Sequence, residues 1–191
     1  MSISNTDFVE MANPHSWFLV ADDLHSQACQ LRENHGSAKL TKIDYNAATS
    51  VTLDATNRSV FLLSSFALEN AIKAFLVYEN PEWISNGKLA RGLRTHKLTQ
   101  LSNKSTLIPY KQRGQKTLRV FEDGIDSWAR YPCSLSKDET KKPLVLTDKL
   151  WNNYRWLILA YGKQLQGLLA KDWHGPHGCH GYYNIDDDFL S

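Results

Sequence analysis

Glu69 and Lys73 stand four residues apart in an otherwise apolar run, Phe61-Leu-Leu-Ser-Ser-Phe-Ala-Leu-Glu-Asn-Ala-Ile-Lys-Ala-Phe-Leu-Val-Tyr78. On a helix that spacing puts them on one face, where an acid and a base pair. Burying either alone is expensive, so the pair either fixes helix register or supports a working site. Beyond a polar turn, Thr95-His-Lys-Leu-Thr-Gln-Leu101 opens on His96, a residue type suited to proton transfer near neutral pH. Arg91 and Arg94 lie just ahead of it, and Arg130 precedes Tyr131-Pro132. Guanidinium groups so placed suit a bidentate grip on phosphate. Each residue also has a plain structural reading. His96 would bond a neighbouring helix, Arg91 and Arg94 would be solvated, and Arg130 would face a helix dipole.

Two further clusters invite chemistry. His174-Gly-Pro-His177-Gly-Cys179-His180 supplies enough imidazole and thiol ligands for zinc, but no second ligand pair accompanies it, and no metal is expected. Trp151, Tyr154, Trp156 and Tyr161 would offer stacking surfaces for bases, yet they do not share one helical face, which favours core and dimer contacts.

The elements that must position these groups follow from periodicity. Residues 1–15 read as a flexible lead-in ending at Asn13-Pro14. From Ser16, Phe18, Leu19, Leu24, Ala28 and Leu31 recur at helical spacing, with Gly36 as a stop. Ile43 to Tyr78 lacks Gly and Pro and reads as one long helix with an interruption near Asp54–Asn57, ending before Pro81. Thr95 is the expected N-cap of a short helix from His96 to Ser102. A helix after Pro109 carries Leu118, Phe121 and Ile125 as its buried stripe and closes near Arg130-Tyr-Pro132. Thr147 or Asp148 caps a last helix, Lys149–Leu169, and residues 171–191 read as a loose, Gly- and His-rich, then acidic tail. The expected class is all-α, a bundle of four or five helices formed by a single domain over 16–170.

Composition narrows the partners. The chain has 191 residues, 42% hydrophobic and 22% charged, enough for one domain with a substantial core. No basic or apolar leader and no long uninterrupted apolar run are apparent, so a cytoplasmic protein without a membrane partner is expected. Three widely spaced cysteines argue against a disulfide framework. The net charge of +2 is too small to demand nucleic acid, but Lys88 to Arg119 holds nine Lys or Arg and no acid. Such a stretch suits phosphates, or else a solvated connector.

The order of these motifs resembles the HEPN superfamily of small helical bundles. The resemblance spans roughly residues 45–170 and rests on Leu68-Glu69-x-x-x-Lys73-Ala74-x-Leu76, Thr95-His96-x-Leu98-x-x-Leu101 and Arg130-Tyr131-Pro132 before a last long helix. It implies a domain that binds RNA or a nucleotide, or a metal-independent endoribonuclease acting as a homodimer, of the toxin or antiviral type. No cofactor is implied. Catalytic members pair an Arg with a His four to six residues later, usually opening the last helix. Arg91-Gly-Leu-Arg-Thr-His96 meets that spacing ahead of the short middle helix, whereas the last helix carries Arg155 and no His. By this resemblance His96 is the acid/base and Arg91 or Arg130 the phosphate clamp, with Arg94, Glu69, Lys73 and Tyr131 in support. The alternative is a non-catalytic dimerisation or protein-interaction module, antitoxin-like or a scaffold. No phosphate loop, serine-nucleophile elbow, dinucleotide fingerprint or paired-carboxylate signature is present.

Overall fold

Ser4 and Asp7 start the first helix, α1 (Asn5–Ala12), with a reciprocal cap. Ser4 Oγ accepts from the Asp7 N–H, and the Asp7 carboxylate accepts from the Ser4 N–H. Asn13 then caps α2 (Pro14–Glu33), its Oδ1 accepting from the Ser16 N–H, with Pro14 in the first helical position, where a missing N–H is harmless. The computed structural model describes residues 3–34, 39–54, 56–184 and 190. Within residues 1–15, expected as a lead-in, it places one whole helix and the start of another, with Val9 and Ala12 buried. Gly36, the expected stop, lies outside the described residues.

The single helix expected across Ile43–Tyr78 is a hairpin followed by a helix. β1 (Lys39–Asp44) and β2 (Thr49–Asp54) pair antiparallel, from Lys39 opposite Asp54 to Asp44 opposite Thr49. No Gly or Pro announces the turn. Asp44 Oδ1 accepts from the N–H groups of Asn46 and Ala47 instead, and Ala48 takes a left-handed φ of 50°. Thr41, Ile43, Thr49, Val51 and Thr52 are β-branched and favour the extended form, and the Thr41 and Thr52 hydroxyls bond across the ladder at 3.0 Å. The helix proper, α3 (Asn57–Glu79), begins where the interruption was expected.

α3 is the axis of the fold. It packs most extensively on α2 and also meets α4 (Leu98–Lys104), α5 (Lys111–Asp126) and α6 (Asp148–Leu169). Phe61, Leu68, Ile72, Phe75 and Leu76 along it are fully buried. By length and composition alone α3 would cross a membrane, the one such helix among the described residues. Yet 78% of its apolar window is buried inside the fold, as in a core helix. α5 turns the expected stripe of Leu118, Phe121 and Ile125 inward. It approaches α3 closely because residue 124 is glycine: a Cβ there would lie 3.0 Å from Phe61 Cδ1. α6 opens on Thr147, whose Oγ1 accepts from the Leu150 N–H.

α4 starts at Leu98, not His96. Thr95 Oγ1 accepts from the Lys97 N–H and caps no helix, while Glu122 of α5 accepts from both the N–H and hydroxyl of Thr99. A tertiary carboxylate thus replaces the local cap, leaving His96 two residues outside the helix. Residues 171–184, expected within a loose tail, fold back instead. β3 (Trp173–His174) and β4 (His180–Gly181) form a second small hairpin with Trp173 and Cys179 buried. Beyond it, Tyr183 N–H donates to Leu169 O at 2.8 Å, and its ring stacks on His15 at 4.1 Å. Leu190 is buried, and its N–H donates to Asp22. Among the described residues the architecture is therefore mostly helical, six α-helices with two small hairpins, and not purely all-α.

Candidate functional site

Glu69 is the hub of the site. Its Oε1 accepts from Lys73 Nζ at 2.6 Å, one helical turn on, and its Oε2 accepts from His96 Nδ1 at 2.8 Å. Glu69 and Lys73 are buried, with side chains 5% and 9% exposed, whereas the His96 side chain is 45% exposed. The carboxylate in this ion pair is acceptor-only, so the proton of a neutral His96 sits on Nδ1 and Nε2 is left with its lone pair. Two aromatics hold the frame. The Phe66 ring meets His96 at 6.0 Å, tilted by 64°, and Lys73 Nζ lies 5.2 Å from the centroid of the Trp17 ring. Both contacts are tertiary; only the helical spacing of Phe66 before Glu69 hinted at either.

His96 lines a cavity of about 580 Å³ with Ile125, Asp126, Arg130, Tyr131, Pro132, Cys133, Ser134 and Leu135. The structure thus brings Arg130 and Tyr131 to the same hollow as the imidazole. The Arg130 guanidinium lies 5.1 Å over the Tyr131 ring, and Arg58 Nη1 donates to Tyr131 O at 3.3 Å, tying this loop to α3. Asp126 also lines the cavity, a residue the sequence reading passed over. It pairs with Lys97, whose pKa is raised chiefly by that hydrogen bond.

Arg91 and Arg94 belong elsewhere. With Gly92, Thr95, Gln100 and Lys104 they line a separate open groove of about 810 Å³. The Arg94 guanidinium donates twice to Leu89 O, at 2.9 and 2.6 Å, and Lys104 Nζ donates to Gly92 O at 3.2 Å. The spacing from Arg91 to His96 therefore does not place the two side chains in one hollow. Thr95 faces the groove and His96 the cavity, so the two hollows flank adjacent residues. The groove holds three cations and no acid.

The histidine-rich turn near the C-terminus is engaged in folding contacts. His177 Nε2 accepts from the Asn86 N–H at 3.2 Å, His174 pairs with Asp172, and His174 and His180 stack at 5.9 Å. Among the described residues, no group of three or more His, Cys, Asp or Glu is arranged to hold a metal ion. No family model, curated protein or solved structure matches this chain.

Proposed function

We propose that this chain is a HEPN-like RNA-binding domain that cleaves RNA as a homodimer without a metal ion. The observation that carries the reading is the Lys73–Glu69–His96 chain, which ends in a half-exposed imidazole that lines the same cavity as Arg130. A carboxylate that fixes the tautomer and ring of a histidine lining a cavity is the arrangement a general base needs. His96 Nε2 takes the proton of a 2′-hydroxyl, and that oxygen attacks the adjacent phosphorus. The bond to the 5′-oxygen breaks, and a proton from water or the returning imidazole neutralises it. The products are a 2′,3′-cyclic phosphate and a 5′-hydroxyl. Arg130 neutralises charge building on the phosphoryl oxygens, and Tyr131 stacks a flanking base. Arg91 and Arg94 take the neighbouring phosphates in their own groove, a positioning role in place of catalysis.

The test is cleavage of a mixed-sequence RNA in EDTA by wild type, His96→Ala and Arg130→Ala. Expected are cyclic phosphate ends from wild type and a loss of at least about a hundredfold in either variant, the scale of one general base or one preorganised donor. Equal cleavage by wild type and His96→Ala would sink the proposal. A second reading, a non-catalytic protein-interaction module, draws on Tyr131, Leu135 and Val145, large apolar side chains exposed together with the 131–145 loop. On that reading no variant cleaves, and a partner protein protects this loop from proteolysis.

A further inference from the structure

At the far end of α5 from His96, a second hollow of about 460 Å³ opens against α6. Pro109, Tyr110, Trp156, Leu159, Ala160 and Lys163 are among its walls, and no acid lines it. Tyr110 directly precedes α5, and Asp126, in the His96 cavity, ends it. The 16-residue helix separates the two by about 24 Å along its axis. This hollow is therefore separate from the site above.

α6 leaves one stripe uncovered here. Tyr154, Leu157, Ile158, Tyr161 and Leu165 turn into the core. Trp156, Leu159 and Ala160, followed by exposed Lys163, recur at helical spacing and stay only half-buried. Tyr110 lines the same hollow, 59% exposed and held at φ 54°, ψ 33°, a left-handed conformation that a bulky residue seldom takes. Its ring touches that of Trp156, with centroids 5.1 Å apart at 50°, so no flat ligand fits between the two. Together the rings make one wall of a concave pocket floored by Pro109, Leu159 and Ala160. Beside the hollow, and outside it, the surface of α5 carries Arg113, Lys116 and Arg119, all exposed. Arg113 lies over the Trp156 ring at 4.0 Å, which brings this row of cations up to the pocket. The first acid on α5 is Glu122, and it is taken by Thr99. Among the described residues, neither Lys163 nor these three cations have an ion-pair partner.

The contact between the two rings removes the slot that a stacked base needs, and the concavity does not match a flat lipid surface. A side chain entering from above does match it. Trp, Tyr and Arg are also the residue types on which the binding energy of protein interfaces concentrates. Four unopposed cations around an apolar pocket call for carboxylates around an apolar anchor. We infer that this surface docks an acidic segment of a partner protein, with one bulky apolar side chain seated in the hollow. Lys163 meets a carboxylate at the rim, and Arg113 and Lys116 meet others along α5.

The test is selection of a random dodecapeptide library on phage against the immobilised full chain, followed by fluorescence polarisation with the enriched peptides. Expected are sequences rich in Asp and Glu around one aromatic residue or leucine. Serine in place of that anchor lowers affinity at least about tenfold, and Lys163→Glu lowers it about tenfold. Tyr110→Gly weakens binding too, and it keeps the fold because glycine takes the left-handed conformation freely. Lys137→Glu, the same charge change in the 131–145 loop, binds as wild type does, and so does His96→Ala, which separates this surface from the proposed nuclease centre. Lys163 and Lys137 are exposed, so both charge variants keep the wild-type circular dichroism. Failure to enrich any acidic sequence overturns the inference, as does peptide binding that Lys163→Glu and Tyr110→Gly leave unchanged. Displacement of the peptide by an oligouridylate whose binding also depends on Lys163 and Tyr110 overturns it in favour of RNA. A Lys163→Glu change in oligomeric state with no change in peptide affinity overturns it in favour of a second copy of this chain.

Discussion

At the scale of single residues, the buried carboxylate of Glu69 divides its two oxygens between a structural partner and an outward one. Removing one member of such a pair strands the other in the core. Glu69→Gln and Lys73→Met are each expected to destabilise the fold by about 3 kcal/mol, read from urea unfolding midpoints. The double variant Glu69→Leu/Lys73→Met loses much less than the sum, because no lone charge remains. Strictly additive losses would show that the two side chains do not depend on each other. The pairing was legible from the spacing alone, since four residues on a helix admit one neighbour geometry. Which arginine joins His96 was not. Arg91 is five residues away in sequence and lines another hollow, while Arg130 is 34 residues away and lines the same one. Cavity membership is a property of packing, and no local pattern carries it.

At the scale of elements, a glycine decides how closely α5 approaches α3, whereas one in α6 faces open space. Gly124→Ala pushes a methyl into Phe61, with its Cβ 3.0 Å from the ring, and is expected to lose about 1–3 kcal/mol. Gly167→Ala, at an exposed position of α6 with no neighbouring atom within 4 Å of the new Cβ, gains about 0.5–1 kcal/mol. Thermal melts of the two variants should move in opposite directions; a shared direction would mean that propensity, not contact, governs both. α3, α5 and α6 were readable because each buries a stripe at helical period or announces its cap, as Thr147 does. The β1–β2 hairpin was not. Its Ala- and Asn-bearing turn reads as helix, and an Asp44 side chain bonded to two N–H groups does the work of the missing glycine. The same difficulty hid α1, where Ser4-x-x-Asp7 is a legible capping box overshadowed by the Asn13-Pro14 that follows it.

At the scale of the whole molecule, the C-terminal segment closes on the N-terminal helices through His15 and Tyr183. Burial lowers the His15 pKa below its ordinary value of 6.5. The unfolded chain therefore takes up this proton at a higher pH than the folded one does. His15's contribution is fully present above about pH 6.5 and is lost as pH falls toward its folded pKa. Stability measured from pH 7.5 down to 5 should fall less steeply in His15→Phe, which keeps a stacked ring without the proton. Identical slopes would exclude His15 as a source of acid sensitivity. The second hairpin and its docking escaped the sequence reading because glycine, proline and histidine in one short stretch read as solvent-facing. The buried Trp173 and Cys179 that anchor it lie far in sequence from the helices they meet.

The β1–β2 hairpin makes its principal contacts within itself and leaves Leu40, Ile43, Tyr45 and Val51 open to solvent. A segment so loosely coupled to the core is where selection can lengthen, shorten or rewrite the chain without retuning the packing of α3. Among descendants of this protein, that is the place where length should drift first and where a foreign peptide could be spliced in with the helical body left standing.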